Sequence, residues 1–293
     1  MDRILKGDKQ EFYEVVHRTE YRYSIPVSLS LQSIRLTPRF RQYEQDLNAT
    51  PEGSFRFVRD AFENPVYSYE LLGDTDSFVV TNRLLLRKAE RNPFDFLLSQ
   101  NALELPVTYS ESEKRALAPY LDASGETDPR LSEAAAEFLP KEKDTVSFLA
   151  SLVGDLNEKL IYEPRDEPGI LTTAELLDRG AGSCRDFSAL LQGLLNRAGF
   201  ASRFVSGYLL ETGDLQGAEA MHAWTEVYLS GAGWIGLDPT NGIFTNEDFV
   251  ACAVATQPLE ATPVEGKCFS DERVESELET NLKITPPNEN TMG

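Results

Sequence analysis

Gly182-Ser183-Cys184-Arg185-Asp186-Phe187 opens a stretch that runs through Leu190, Leu191 and Leu194 to Gly199. Gly182 and Ser183 are turn and cap types, and Asp186 follows Ser183 by three, the spacing of a helix N-terminal capping pattern. The apolar residues then recur at helical spacing until Gly199 ends the run. Cys184 therefore falls in the first helical turn, where the helix dipole is positive and favours an anion. Its spacing from Phe187 puts it on the apolar face, so the thiol is expected to lie partly buried at a helix tip.

Downstream, His222-Ala-Trp-Thr-Glu-Val-Tyr-Leu229 is rich in aromatic and β-branched types and reads as a strand. Ser230-Gly-Ala-Gly233 is a turn, and Trp234 to Leu237 is a second short strand closed by Pro239. A three-residue loop, Ser230 to Ala232, would pair Leu229 with Gly233 and His222 with Thr240. Asp238 would then be the diagonal neighbour of His222 on one face, roughly 7–8 Å away along the main chain. A four-residue loop would send the two side chains to opposite faces. Juxtaposition of His222 and Asp238 thus demands an odd loop or a bulge.

Singly, each residue has a bland reading. A Cys at a helix start is a small core residue, a His among aromatics is a hydrogen-bonded structural one, and an Asp before Pro forms a turn. Together they have the chemistry of thiol acyl transfer. A thiol needs a base or a positive field to become a nucleophile, and the base needs a group to orient it.

The blocks around these residues resemble the bacterial transglutaminase-like family, whose members are described as predicted cysteine proteases. The likeness lies in Gly-Ser-Cys-Arg-Asp-Phe-Ser-Ala-Leu-Leu from Gly182, Gly-Phe-Ala-Ser-Arg-Phe-Val-Ser-Gly-Tyr from Gly199, His-Ala-Trp-Thr-Glu-Val-Tyr from His222 and Gly-Trp-Ile-Gly-Leu-Asp-Pro-Thr-Asn-Gly from Gly233. At the N-terminus, His-Arg-Thr-Glu-Tyr-Arg-Tyr-Ser-Ile-Pro-Val from His17, Arg-Leu-Thr-Pro-Arg from Arg35 and Asp-Ala-Phe-Glu-Asn from Asp60 resemble the family's N-terminal β-domain. The resemblance implies a papain-like core, with Cys184 as nucleophile, His222 as base and Asp238 as the orienting residue. It also implies that Tyr162 stands where the family often has an aromatic near the oxyanion site, although packing accounts for Tyr162 equally well. The chain departs from the pattern at Ala201, where the family has proline, and at Glu63, where it has glycine. The segment Phe249 to Pro258 lacks the family's histidine and Gly-Arg-Asp element.

Composition bounds the rest. The chain has 293 residues, 41% of them hydrophobic, enough for one large or two ordinary domains with real cores. No apolar run is long enough to span a membrane, and Met1 to Gln10 lacks the apolar core of a signal peptide. Three cysteines and two histidines give no zinc-ligand spacing. The expected compartment is the reducing cytoplasm. A net charge of −20 disfavours nucleic acid and anionic membranes as partners and suits solubility. Acidic residues are scattered with no EF-hand spacing, so calcium dependence is a minor alternative. No cofactor or metal is expected.

The first ninety or so residues read as all-β. Tyr13, Val15, His17, Thr19, Tyr21 and Tyr23 share one face, with charged residues between them. His17 lies on that apolar face and reads as structural. Further strands are expected at 31–37, 55–62, 65–72 and 77–87, giving a small sandwich. A linker with a helix at 111–121 follows, then helices at 128–139 and 144–160, the Cys184 helix and a strand at 201–210. A polar, glycine-containing loop at 211–219 could move over a cleft. A one-faced strand is expected at 274–284, then a loose tail. The expected class is α+β: an N-terminal β-sandwich-like domain at 1–92, a catalytic domain at 93–260, and a C-terminal strand and tail at 261–293.

The expected reaction is cleavage of a peptide, isopeptide or small amide bond through a thioester on Cys184. The backbone N–H of Cys184 is one oxyanion donor by position. Tyr162 is a candidate second donor, and Trp224, with Trp234, is expected to wall the cleft. Two rivals remain: an acyltransferase with an amine acceptor, and a non-catalytic module that keeps the fold as a binding surface. Sequence leaves the oligomeric state open.

Overall fold

The computed structural model describes residues 12–40, 42–87, 92–121, 129–139, 141–165, 167–210, 215–217 and 220–287. The chain opens with strand β1, Phe12–Leu29, whose first half alternates buried Tyr13, Val15 and His17 with half-exposed residues. The strand runs past the expected end at Tyr23. A register irregularity between Arg22 and Val27 carries Pro26 through without asking it for a ladder hydrogen bond. Strands β2 (Gln32–Ile34), β3 (Tyr43–Thr50), β4 (Ser54–Arg59), β5 (Pro65–Glu70) and β6 (Asp74–Arg87) complete the N-terminal set.

Helices α1 (Glu111–Leu121), α2 (Pro129–Phe138) and α3 (Thr145–Lys159) follow. The expected outer residues of α3 are its caps: Asp144 accepts from the Ser147 N–H at 2.8 Å, and Leu160 closes the C-terminus. A two-residue strand β7 (Ile161–Tyr162), helix α4 (Thr173–Arg179) and strand β8 (Ala181–Gly182) lead into α5 (Cys184–Arg197). Then come β9 (Ser202–Leu209), β10 (His222–Leu229), β11 (Gly233–Asp238), β12 (Ile243–Phe244) and β13 (Phe249–Ala255). The last strands are β14 (Val264–Glu265), β15 (Cys268–Phe269) and β16 (Ser276–Thr285).

These elements form an α+β fold. One sheet runs β15-β1-β6-β3 with β16 also on β1, and a second runs β14-β2-β5-β4. Their facing side chains, among them Ile34, Leu36, Tyr69, Phe78 and Val80, make the sandwich core. The C-terminal strand read from the sequence is therefore part of the N-terminal sheet, with Val15 opposite Ile284 and Tyr21 opposite Leu278. The expected tail lies, from residue 288 on, outside the described residues.

The third sheet, β12-β11-β10-β9-β13, is antiparallel and carries α5 on one face. Phe187, Leu190, Leu191 and Leu194 of α5 join Phe148, Leu149 and Leu152 of α3 and Val227, Leu229 and Leu237 of the sheet in one buried cluster. Each such side chain contributes roughly 1.5–3 kcal/mol relative to exposure. The opposite face of that sheet meets the N-terminal sheet: Tyr208, Leu210, Val250 and Cys252 pack on Tyr13, Val15, Leu84 and Leu86. His17 lies in this seam. It is 3% exposed, with Nδ1 3.2 Å from the Tyr208 hydroxyl and Nε2 3.3 Å from Thr19 Oγ1. Burial lowers its pKa to about 4, so it stays neutral, as suits a structural residue.

A second weld is the turn Asp60 to Asn64. Asp60 Oδ1 accepts from the Phe62 and Asn64 N–H groups, and Asn64 exchanges two hydrogen bonds of 2.8 Å with the backbone of Val254. Glu63, at the tip, has φ 61°, the left-handed region where glycine is at ease.

Candidate active site

The site is assembled from three elements. The first is the N-terminus of α5. Asp186 is 1% exposed and its carboxylate accepts from the Ser183 N–H at 2.8 Å and the Ser183 hydroxyl at 2.7 Å. It also accepts both Arg165 Nη1 contacts, 2.8 and 2.9 Å, and the Leu171 N–H at 2.8 Å. Burial alone would raise the Asp186 pKa, but these donors together hold it below the ordinary value. Arg185 donates to the carbonyls of Gly169, Arg165 and Glu167. The capping expected of Asp186 is thus joined by contacts that tie Arg165, Glu167, Gly169 and Leu171 to the helix tip. Gly182 precedes the cap because nothing larger fits: a Cβ there would stand 2.7 Å from Leu176 Cδ1 and 3.2 Å from Asp186. Cys184 follows in the first turn, half-buried against an apolar patch that includes Ala223 and Phe204.

The second element is the hairpin β10–β11. Its loop is Ser230 to Ala232, Leu229 pairs with Gly233, and Thr225 pairs with Leu237. This is the odd-loop register, and it brings His222 and Asp238 to one face. His222 Nε2 lies 2.9 Å from Asp238 Oδ2, with both side chains at 0% exposure. Asp238 Oδ1 accepts from the Thr240 N–H at 2.9 Å, and Oδ2 also accepts from Asn241 Nδ2 at 2.6 Å. Burial alone would lower the His222 pKa. The Asp238 charge and hydrogen bond, with the Cys184 sulfur beside the ring, override that and raise it to about 10. Nδ1 is buried and, among the described residues, has no hydrogen-bond partner of regular geometry. The contribution of Cys184 to the raised His222 pKa places its sulfur beside the ring.

The third element is the parallel bridge of β7 and β8, in which Tyr162 lies opposite Gly182. It carries Tyr162 to the helix tip. Gly217, with φ 91°, packs between Tyr162 and the imidazole: a Cβ there would stand 2.6 Å from His222 Nδ1 and 3.4 Å from the Tyr162 hydroxyl oxygen. Gly217 belongs to the polar loop read at 211–219. Of that loop, 211–214 and 218–219 lie outside the described residues.

The tryptophans take other places than expected. Trp224 is 2% exposed and stacks near the imidazole, ring centroids 6.4 Å apart, with Phe249 edge-on at 5.4 Å. It supports His222 from behind. Trp234 sits at the far end of β11 between Tyr120 and Tyr228, with the Arg203 guanidinium 4.0 Å over its ring. It lies on the same strand as Asp238 but about 13 Å further back along it, too far to wall the site.

Sequence reading missed Asn241 and Gly217. Asn241 had a weak signal, since an Asn three residues after an Asp in a Pro-containing turn can reach back to the carboxylate. Gly217 had none, because its partner is far away in the chain. Among the described residues no group of three or more His, Cys, Asp or Glu is placed to hold a metal ion, and no helix is long and apolar enough to cross a membrane. A cavity of about 680 Å³ runs along the flank of α5 past Leu171 and Leu190, and neither Cys184, His222 nor Asp238 lines it.

Comparison with known proteins agrees with this architecture. Residues 132–239 match the transglutaminase-like superfamily, and residues 13–86 match the bacterial transglutaminase-like N-terminal region. The uncharacterized protein Rv2569c of Mycobacterium tuberculosis is 26% identical over 94% of this chain and 92% of its own length. The uncharacterized protein ML0607 of Mycobacterium leprae is 24% identical over 92% and 97%. Among solved structures, a proposed cysteine protease from Cytophaga hutchinsonii has the same fold, with a TM-score of 0.67 and 15% identity over 94% of this chain and 90% of that one. The chain thus carries, in order, a bacterial transglutaminase-like N-terminal region and a core of the transglutaminase-like superfamily.

Proposed function

We propose that this protein is a cysteine-dependent acyl-transfer enzyme that hydrolyses a peptide or isopeptide amide bond. The observation that carries the reading is the state of His222. One imidazole nitrogen is fixed on a buried carboxylate, and the other is buried beside the Cys184 sulfur. That is the arrangement of a proton carrier held beside a thiol, able to keep the sulfur ionised and to protonate a leaving amine.

In the proposed reaction the thiol proton of Cys184 already rests on His222, whose raised pKa favours the imidazolium, and the thiolate sulfur attacks the amide carbonyl carbon. The carbon–nitrogen bond breaks as His222 gives that proton to the leaving amine. A thioester remains on Cys184, and water, deprotonated by His222, resolves it to a carboxylic acid and the free thiol. Asp238 holds the ring and offsets its positive charge. The backbone N–H of Cys184 is one oxyanion donor by its position in the first turn of α5, and Tyr162 is the candidate second donor. The scheme needs no cofactor. Its partner is a peptide, a protein or a small amide.

Transfer to an amine in place of water uses the same thioester. The test is to incubate peptide and isopeptide substrates with and without a labelled primary amine and to follow products by mass spectrometry. Free acid alone fits a hydrolase, and label on the acyl fragment fits an acyltransferase. Release of product by a Cys184→Ala variant that remains folded would overturn both.

A further inference from the structure

We propose that Asn241 is a positioning residue, coupling the Asp238 carboxylate to the backbone of Gln216 and so setting both the His222 imidazole and the Gly217 backbone that packs against it. The proposal rests on the thiol acyl-transfer reading above.

Both ends of the Asn241 amide are used. Nδ2 donates to Asp238 Oδ2 at 2.6 Å and to the Gln216 carbonyl at 3.2 Å, while Oδ1 accepts from the Gln216 N–H at 2.7 Å. The side chain thus pairs with Gln216 as a strand backbone would. This pairing fixes a segment that no described strand holds, since 215–217 has no ladder of its own. On the other side, Asn241 and the Thr240 N–H occupy both carboxylate oxygens of Asp238. The carboxylate cannot rotate about its bond without breaking one of these charge-assisted bonds, so Oδ2 stays aimed at His222 Nε2.

Gln216 is followed by Gly217, and the backbone there leaves no room for a side chain beside Nδ1. Gly217 is therefore the wall next to the proton-handling nitrogen. A single amide sets the angle of the imidazole through Asp238 and the closeness of that wall through Gln216. Asn241 is thereby placed to set both the ring orientation, through Asp238, and the backbone packed against Nδ1, through Gln216. The groups facing His222 are Asp238 from β11, the Cys184 sulfur from α5, the Tyr162 hydroxyl beyond Gly217, and the apolar rings of Trp224 and Phe249. Of these, Asn241 bonds only Asp238, so its loss acts on the imidazole through that carboxylate.

The test needs no substrate. Alkylation of Cys184 by iodoacetamide is followed against pH by peptide mass spectrometry in the full chain, with thermal melts alongside. The wild type should label Cys184 faster than the exposed Cys268. Asn241→Ala should remain folded, with the midpoint of its Cys184 rate profile displaced by about one pH unit, tenfold in rate on the rising limb. Asn241→Asp keeps the shape but sets a second carboxyl against Asp238. It removes the donor to Asp238 and adds negative charge near the imidazole, so its profile should be displaced to higher pH than wild type. Profiles of both variants that superimpose on wild type would overturn the proposal while leaving the thiol reading intact. A wild-type Cys184 no more reactive than Cys268 would overturn the thiol reading, and the proposal with it.

Discussion

His222 and Asp238 meet across a diagonal of their hairpin: Nε2 and Oδ2 are 2.9 Å apart, and Asp238 stands one step beyond Leu237, the residue that pairs with Thr225. The contact exists because the loop from Ser230 to Ala232 has an odd length. One residue more or fewer would reverse the face of every side chain on β11, and the imidazole would face Asp238 no longer.

The first prediction concerns the three thiols. Cys252 is fully buried and burial pushes its pKa up, so it should label last. Cys268 is exposed and Cys184 half-buried. Access alone would therefore favour Cys268. Limited alkylation near neutral pH should instead modify Cys184 first, because the positive helix end and the imidazole both favour a reacting sulfur there. Labelling in the order of exposure would count against the nucleophile assignment.

The His222–Asp238 pair should leave a mark on stability against pH. The His222 pKa is raised from 6.5 to about 10 in the folded chain. Its protonated form therefore favours the folded state, fully below about pH 6.5 and decreasingly as pH rises, until nothing is left above about pH 10. In Asp238→Asn the charge that raises the pKa is gone, and burial favours the neutral ring. The wild-type advantage in Tm over this variant should thus narrow from pH 6 to pH 10. A gap that widened with pH would show that the pair is not held as an imidazolium–carboxylate.

Asp186 carries a separable structural load. Its side chain and that of Arg165 are 0% and 8% exposed, and they are 2.8 Å apart. Asp186→Ala removes the acceptor for Arg165, Ser183 and Leu171 together and leaves a buried guanidinium with only Glu167, 3.8 Å from its Nε, as an acidic neighbour among the described residues. The loss should be about 3–5 kcal/mol, read from denaturant unfolding. A loss under about 1 kcal/mol would mean that the 165–171 segment finds other partners without this carboxylate.

Glu63 offers the opposite sign. It adopts φ 61° at the tip of the Asp60 to Asn64 turn, and its side chain is exposed. A left-handed conformation costs a non-glycine residue roughly 1–2 kcal/mol, partly offset by the entropy glycine loses on folding. Glu63→Gly should therefore raise stability by up to about 1 kcal/mol. A lower melting temperature would mean that the Glu63 side chain makes a stabilising interaction that outweighs the strain.

Much of this layout could be read from residue order, for identifiable reasons. The Cys184 helix carried its cap and its periodicity in one stretch, and the hairpin carried its loop length. Strand β3, Tyr43–Thr50, escaped because its face alternates half-buried and exposed with mostly polar side chains, leaving no apolar period. Strand β13, Phe249–Ala255, escaped for the opposite reason, since it is buried on both faces and its run of apolar residues has no alternation. Helix α4, Thr173–Arg179, is too short to show a period, and its capping box Thr172–Glu175 was its one clear signal. Trp234 was misplaced because nearness to Asp238 in sequence is not nearness in space along an extended strand. Asn241 and Gly217 depend on a contact between two loops, and no local pattern encodes that.

The last prediction separates chemistry from folding at the site. Cys184→Ala puts a good helix former in the first turn of α5, so the melting temperature should change little, while turnover of any amide substrate should vanish. His222→Ala removes a side chain packed against Trp224 and Phe249 and leaves Asp238 buried without its partner. It should lose turnover as completely as Cys184→Ala, because nucleophile and base act as one unit, but it should also lose stability. Asp238→Asn keeps the shape and the Thr240 contact while losing the charge, so it should retain more activity than either. Turnover and melts measured on the same preparations distinguish the cases. Full stability with no turnover belongs to the cysteine variant, and joint loss belongs to the histidine variant. If the cysteine variant instead kept turnover, some other group would have to form the acyl intermediate, and Cys184 would be a core residue at a capped helix tip.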